Sequence, residues 1–115
     1  MTGKERINTT LNHQEPDKVA VDFGGTCDST MHVSCIAGLR DYYGLEKRPV
    51  TVQDVFTMAG TMEEDLLDAM GVDTAPAYPL GTHFGLRRDK VKEWTNLQGQ
   101  TILVPEDFNP QPDGK

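Results

Sequence analysis

The stretch 16–26, PDKVAVDFGGT, constrains the fold more than any other part of the sequence. Pro16 stops any helix that precedes it, and residues 19–23 alternate in side-chain character at the period of a β-strand. Gly24 and Gly25 then allow the backbone to turn sharply. The stretch therefore predicts a strand that ends in a tight loop.

Polar residues surround the end of this predicted strand. Asp22 lies close to its end, and Thr26 begins the polar run TCDST at 26–30. In α/β proteins, ligands bind outside the carboxyl ends of strands. The pattern predicts a ligand-contacting rim formed by Asp22, Gly24, Gly25 and Thr26. A strand closed by a glycine turn, with no ligand, is the alternative.

The composition limits the classes of partner. The 115 residues include 18 acidic and 11 basic side chains, with a net charge of -7. Because phosphate binding needs clustered basic residues, nucleic acid is not expected as a partner. No apolar run approaches the ~20 residues of a transmembrane helix, and the N-terminus lacks the apolar core of a signal peptide. We therefore expect a cytoplasmic protein with no membrane partner. Cys27 and Cys35 fit that compartment as free thiols, although they could pair.

Two helices frame the predicted strand. Thr2 and Glu5 have the spacing of a capping box, which predicts a helix over residues 3–12. Apolar residues at helical spacing predict a second helix over 33–43, ended by Gly44. His32 lies at the entrance of that helix. It either contacts a ligand or makes a local hydrogen bond at the helix start.

The middle of the chain predicts a βαβ unit over residues 18–75. Helical spacing over 52–60 indicates a short helix, and a second capping-box spacing at 61–64 begins another helix that Gly71 ends. Residues 72–75 resume a strand pattern. The order strand, helix, helix, strand predicts a parallel crossover.

Residues 76–115 predict a loop followed by a β-hairpin. Strand patterns at 93–95 and 101–104 flank a turn at 96–100. The chain then finishes on the turn sequence Asp113-Gly114, as a truncated chain would.

Three clusters have both a functional and a structural interpretation. Cys27, His32 and Cys35 suggest a metal, but their spacing matches no closed zinc pattern and a fourth ligand is missing. The basic run 87–90, RRDK, meets an anionic substrate or is a solvated turn. The acidic run 63–65, EED, is a pair of catalytic carboxylates or a helix N-terminus favoured by the macrodipole.

Four blocks of the sequence together form a recognisable pattern. They are Met1-Thr2-x-Lys4-Glu5-Arg6, Leu11-Asn12-His13-x-Glu15-Pro16-Asp17-x-Val19-x-Val21-Asp22-Phe23-Gly24-Gly25-Thr26, Glu63-Glu64-Asp65-Leu66-Leu67 and Gly71-Val72-Asp73. These blocks resemble the amino-terminal third of the uroporphyrinogen decarboxylase superfamily, and most of all its branch of cobamide-dependent methyltransferases and their relatives. The resemblance covers essentially the whole chain, and its most specific part is the block from Leu11 to Thr26.

This resemblance implies an α/β fold, the amino-terminal part of a (β/α)8 TIM barrel. A complete barrel needs roughly 250 residues, so an incomplete barrel is expected. Its order would be helix, strand, helices, strand and hairpin, with an N-terminal helix and loop over 1–17, the βαβ unit over 18–75 and the loop and hairpin over 76–115.

The sequence also departs from the family. Uroporphyrinogen decarboxylases carry an arginine-rich loop after the first strand, whereas residues 24–30 contain no arginine. They place an aspartate after the second strand, where this chain has Tyr78-Pro79-Leu80. Both departures disfavour uroporphyrinogen decarboxylation. The zinc ligands of the methyltransferase branch, a His-x-Cys pair and a later Cys, lie in its carboxy-terminal part and have no counterpart here.

The resemblance implies the amino-terminal segment of an enzyme for corrinoid-linked methyl transfer, inactive by itself. The alternatives are a fragment of uroporphyrinogen decarboxylase and a non-catalytic remnant or interaction module. Zinc and a corrinoid protein are implied for the complete family member, and the expected partners are the rest of the barrel or another copy of this chain. The candidate substrate-binding residues are Asp22, Gly24, Gly25, Thr26 and His32, and no catalytic residue is assigned.

Overall fold

The computed structural model describes residues 1–82, 84–111 and 113 of the chain. Within them lie three helices and four strands. The helices are α1 (Gly3–Leu11), α2 (Val33–Tyr42) and α3 (Glu64–Met70), and the strands are β1 (Val50–Asp54), β2 (Ala59–Gly60), β3 (Val91–Thr95) and β4 (Thr101–Pro105).

The four strands form one mixed sheet in the order β2-β1-β4-β3. Strand β1 pairs with β2 in antiparallel orientation and with β4 in parallel orientation, with Val50 opposite Ile102. Strands β3 and β4 form the hairpin expected from the sequence, with Thr95 opposite Thr101. The prediction of the hairpin is confirmed because its turn and both strands are local in sequence.

One apolar core lies between this sheet and two of the helices. Strands β1 and β4 alternate along their length, so that one side chain in two points into the core. Helices α2 and α3 cover that face. The fully or nearly buried apolar side chains are Val33, Ile36, Val50, Val52, Met62, Leu66, Leu67, Ile102 and Val104.

This architecture corrects the predicted fold class: the structure is a small mixed α/β domain and not the amino-terminal part of a (β/α)8 barrel. The parallel strand pairing in the structure joins β1 to β4. The predicted βαβ unit over 18–75 required a parallel pairing between residues 18–23 and residues 72–75. Neither of those segments forms a strand. The Asp73 amide donates to the Val21 carbonyl (2.9 Å), and the Val21 amide donates to the Asp73 carboxylate (2.9 Å). Because a side chain takes the second hydrogen bond, the backbone ladder stops there.

The short helix predicted over 52–60 is also wrong. Those residues form the end of β1, a turn and β2. Met58 in the turn has a φ of 54°, and its carbonyl accepts a hydrogen bond from the Val33 amide (3.0 Å). Of the apolar residues that suggested a helix, Val52 and Ala59 are buried in paired strands, whereas Phe56 is exposed. A local pattern does not contain that pairing.

The three helices occur where the sequence predicts them. The capping box of α1 forms through Thr2 and Glu5, and Gly71 ends α3 with a φ of 68°. The second capping box does not form, since Glu63 caps α3 without a side-chain hydrogen bond. The Thr61 amide instead donates to the Thr51 carbonyl (2.7 Å) and continues the β1–β2 pairing. No helix within the described residues is both long and apolar enough to cross a bilayer.

Candidate functional site

The loop that follows the extended segment 19–23 is folded tightly on itself. The Gly24 amide donates to the Ser29 carbonyl (2.8 Å), and the Ser29 amide donates to the Thr26 carbonyl (3.3 Å). Gly24 is buried, with a φ of 81°, and a Cβ at this position would lie 3.0 Å from Cβ of Met62. The loop therefore needs glycine here both for its conformation and for its approach to the core.

Asp22 holds the start of this loop. Its Oδ1 accepts hydrogen bonds from the Gly25 amide (3.1 Å) and from the Thr74 hydroxyl. The Thr74 hydrogen bond is the largest cause that lowers the pKa of Asp22, and the Gly25 amide lowers it further. A Cβ on Gly25 would lie 2.5 Å from Oδ1. Asp22 is thus an ionised side chain with a positioning role, and a proton donor at neutral pH is not expected here.

Thr26 presents the polar side of the loop to solvent. Its hydroxyl accepts from the Asp28 amide (3.2 Å) and lies 3.4 Å from the Ser29 hydroxyl. The Thr26 amide donates to the Ser29 hydroxyl (3.0 Å). Threonine and serine hydroxyls can exchange these local bonds for bonds to a ligand, so this side of the loop is suited to polar recognition.

His32 caps helix α2. Its Nδ1 accepts from the Ser34 amide (3.2 Å) and lies 2.8 Å from the Ser34 hydroxyl. Of the two interpretations of His32, the structure contains the local hydrogen bond at the helix start. Accepting at Nδ1 places the proton of the neutral ring on Nε2, which keeps one donor for another group.

Two residues that sequence reasoning did not assign complete this region. Thr74 binds Asp22, and Tyr78 directs its hydroxyl to Oε1 of Gln53 (3.2 Å) with the Gly24 carbonyl 3.4 Å away. Both come from the extended segment after α3, beside the loop. The only signal in the sequence was the position of Tyr78 where the resemblance places an aspartate. The structure thus brings Asp22, Gly24, Gly25 and Thr26 together in one loop, and His32 lies beyond its far end.

The implied zinc does not fit the residues present. Among the described residues, no three His, Cys, Asp or Glu side chains are grouped as metal ligands. Cys27 and Cys35 are exposed free thiols, and His32 is engaged with Ser34.

The charged clusters have structural roles. Arg87 pairs with Asp89 (2.6 Å) on the exposed turn, as the solvated interpretation of the basic run expects. Asp65 of the acidic run accepts two hydrogen bonds from Arg40, each 2.9 Å long, and so joins α3 to α2. Arg88 differs from Arg87, since its Nη1 donates to the Gln53 carbonyl (2.8 Å) in the interior.

Comparison of the chain with protein-family models, with curated proteins and with solved structures finds no match. The family resemblance therefore continues to depend on the residues quoted for it. The geometry adds a fixed polar loop whose glycines, hydroxyls and backbone amides can contact a ligand.

Proposed function

We propose that this chain supplies a ligand-binding part of an enzyme related to the uroporphyrinogen decarboxylase superfamily, in the branch that transfers methyl groups with a corrinoid. The supporting observation is that the most specific block of the resemblance ends in the loop that Asp22, Thr74 and Tyr78 hold in one conformation. A preformed loop costs less entropy to order on ligand binding than a flexible one. The chain has this binding role only within a larger assembly.

In this proposal, the groups that carry out the chemistry lie outside this chain. The zinc that activates the accepting thiol is held by residues outside this chain, and the methyl group comes from a corrinoid protein as a separate partner. The cytoplasm is the proposed compartment, in keeping with the free thiols of Cys27 and Cys35. Decarboxylation of uroporphyrinogen is the less supported reaction, because the loop 24–30 contains no arginine for substrate carboxylates.

The test uses methylcobalamin, whose visible absorbance changes when it loses its methyl group. The tagged chain is crosslinked in its native cells and recovered with its partners, and the complex is then supplied with methylcobalamin, zinc and a simple thiol. We expect demethylation by the complex and none by the isolated chain. Asp22→Asn should slow the reaction, whereas Asp28→Asn, on the exposed side of the same loop, should not.

Two outcomes would contradict the proposal. Demethylation by the isolated chain above a denatured control would show that no assembly is needed. If the recovered complex leaves methylcobalamin intact, the assigned reaction is wrong. If the complex that contains Asp22→Asn demethylates methylcobalamin as fast as the native complex, the assigned loop is wrong.

A second candidate is a non-catalytic interaction module, and a specific surface favours it. An apolar groove of about 440 Å³ lies between the β1–β2 turn, the loop before β3 and the segment after β4. It includes Phe56 and Phe84, which are 81% and 62% exposed. Exposed apolar surface of this kind marks contact sites, and a second copy of this chain is the proposed occupant.

A further inference from the structure

A second cavity lies beside strand β1 and shares one wall residue, Tyr78, with the region of the loop 22–30. Its volume is about 200 Å³, several times the ~30 Å³ that one water occupies in the liquid. Its polar walls are Thr51, Thr61, Tyr78 and Arg88. No aspartate or glutamate is among the described residues that line it.

Arg88 is the charged side chain among the described residues that line this cavity. Its guanidinium is held in place at Nη1 by the Gln53 carbonyl (2.8 Å) and lies 5.3 Å from the centre of the Tyr78 ring. Its Nε is buried and has no hydrogen-bond partner among the described residues. Its neighbour Arg87 pairs with Asp89 through two hydrogen bonds of 2.9 and 2.6 Å. Among the described residues, Arg87 thus has a carboxylate partner and no ion pair is found for Arg88.

The other polar walls supply neutral donors. The hydroxyls of Thr51 and Thr61 can both donate to an oxygen atom. Burial raises the pKa of Tyr78, so its phenol keeps its proton at neutral pH and adds no negative charge. A guanidinium beside hydroxyl groups in a partly enclosed site forms charge-assisted hydrogen bonds to oxyanions.

We infer that this cavity binds a small oxyanion, a carboxylate or a phosphate group, through Arg88 with Thr51 and Thr61. The anion supplies the negative charge that the described residues lining this cavity do not provide for Arg88. This site does not depend on the proposed methyl transfer, because none of its three binding side chains belongs to the loop 22–30.

The experiment titrates the full chain with inorganic phosphate and, separately, with acetate at constant ionic strength, with chloride as the reference anion. The Nε–H resonance of Arg88 and the backbone amide resonances of Thr51 and Thr61 are followed by NMR, and the variants are compared through these two amides. We expect a saturable shift of these resonances by one or both oxyanions and none by chloride. The oxyanion that binds more tightly, phosphate or acetate, identifies whether the site prefers a phosphate group or a carboxylate.

Matched variants separate this site from general charge effects. Arg88→Gln should weaken binding at least tenfold, while Arg87→Gln on the same turn should stay within twofold of the native chain. If Arg88→Gln does not fold, Thr61→Val tests the same cavity, with an expected loss of severalfold. Shifts that never saturate with either oxyanion, or equal losses in the Arg87 and Arg88 variants, would overturn the assignment.

Discussion

Two arginines carry much of the polar organisation at the scale of single residues. Arg6 and Arg40 are 6% and 4% exposed, and each is surrounded by acceptors. Arg40 donates to both Asp65 oxygens and to the Glu46 carbonyl (2.8 Å). A buried guanidinium needs such a set of acceptors, because its desolvation is otherwise uncompensated. The acidic run in the sequence is thus explained as the partner of a cation on another helix.

Asp65 makes the stability of the chain depend on pH. Its pKa is lowered from 3.8 to about 2, and the hydrogen bond from Arg40 is the largest cause. Because the folded pKa lies below the unfolded one, the stabilisation is complete above ~pH 4 and is lost as the pH falls through the folded pKa. We expect Asp65→Asn to lower the free energy of unfolding at pH 6 by about 1 kcal/mol, a value reduced by the partial exposure of the carboxylate.

Urea unfolding at pH 6, 4, 3 and 2.5 measures this effect. The difference between the native chain and Asp65→Asn should narrow as the pH falls. Asp68→Asn, on the exposed side of the same helix, is the control and should show a smaller difference. If the difference in unfolding free energy between the native chain and Asp65→Asn is the same at every pH, the role of the Arg40–Asp65 pair is contradicted.

Substitution by alanine should have opposite effects on stability at Gly60 and at Gly38. A Cβ at Gly60 would lie 2.6 Å from Cδ1 of Ile36 and 2.8 Å from Cγ1 of Val50, whereas a Cβ at Gly38 meets nothing within 4 Å. Gly60→Ala should destabilise the fold by about 1–3 kcal/mol through overpacking. Gly38→Ala should stabilise it by about 0.5–1 kcal/mol, because alanine is the better helix residue. Thermal unfolding of the two variants checks both signs, and destabilisation by both would show that α2 is packed differently.

At the scale of elements, α1 is attached by polar contacts. None of its side chains belongs to the apolar core among the described residues. Arg6 donates to Asp17 (2.7 Å) and to Asp73, and so joins α1 to the extended segments before the loop and after α3. The pKa of Asp17 and that of Asp73 are lowered, with Arg6 and the Val21 amide as their respective largest causes. Arg6 is therefore the main contact that holds helix α1 in place, beside a weaker one between the Met1 amino group and Asp17 (3.4 Å).

Replacing that side chain should release α1 without unfolding the core. In Arg6→Met, we expect protease cleavage within residues 1–20 to become several times faster, since Asp17 and Asp73 lose their shared cation. The unfolding midpoint followed by Trp94, which contacts Phe108 at 5.3 Å between ring centres, should change little. Lys4→Met, at an exposed position of α1, is the control. If the unfolding midpoint followed by Trp94 falls together with the faster cleavage, α1 is integral to the core.

At the scale of the whole molecule, the chain exposes more surface than its mass requires. Its accessible surface is 7646 Å² and its radius of gyration is 16.3 Å. A compact domain of this size has about 6,200 Å² and about 13 Å. The groove around Phe56 and Phe84 contributes exposed apolar side chains to this surface. Exposed apolar surface favours association with another body.

We therefore predict dimers or larger species at micromolar concentration. Phe56→Asp places a charge in the apolar groove and should shift the population towards monomer, whereas Tyr42→Asp, also about 80% exposed but on α2, should not. Light scattering over a dilution series measures the populations. A monodisperse native monomer, or equal effects of the two variants, would count against the groove as the contact surface.

The sequence by itself determined the elements whose contacts are local. The Thr2–Glu5 capping box, the left-handed cap at Gly71 and the β3–β4 hairpin each involve residues close in the chain. Their physical cause is therefore contained in a short window. The hydrogen bonds inside the loop 22–30 are also local, although Thr74 and Tyr78 contact the loop from a distant part of the chain.

Only the tertiary structure decided the sheet and the environment of the site. Strand β1 is defined by its pairing with β4, far along the chain, and that contact overrides the helical spacing of residues 52–60. Segment 19–23 has a strand pattern but no ladder, because the Asp73 carboxylate takes the amide that a neighbouring strand would bind. Thr74, Tyr78 and Arg88 reach their partners by the same long-range packing. Non-local hydrogen bonds and burial set these outcomes, and no local pattern encodes them.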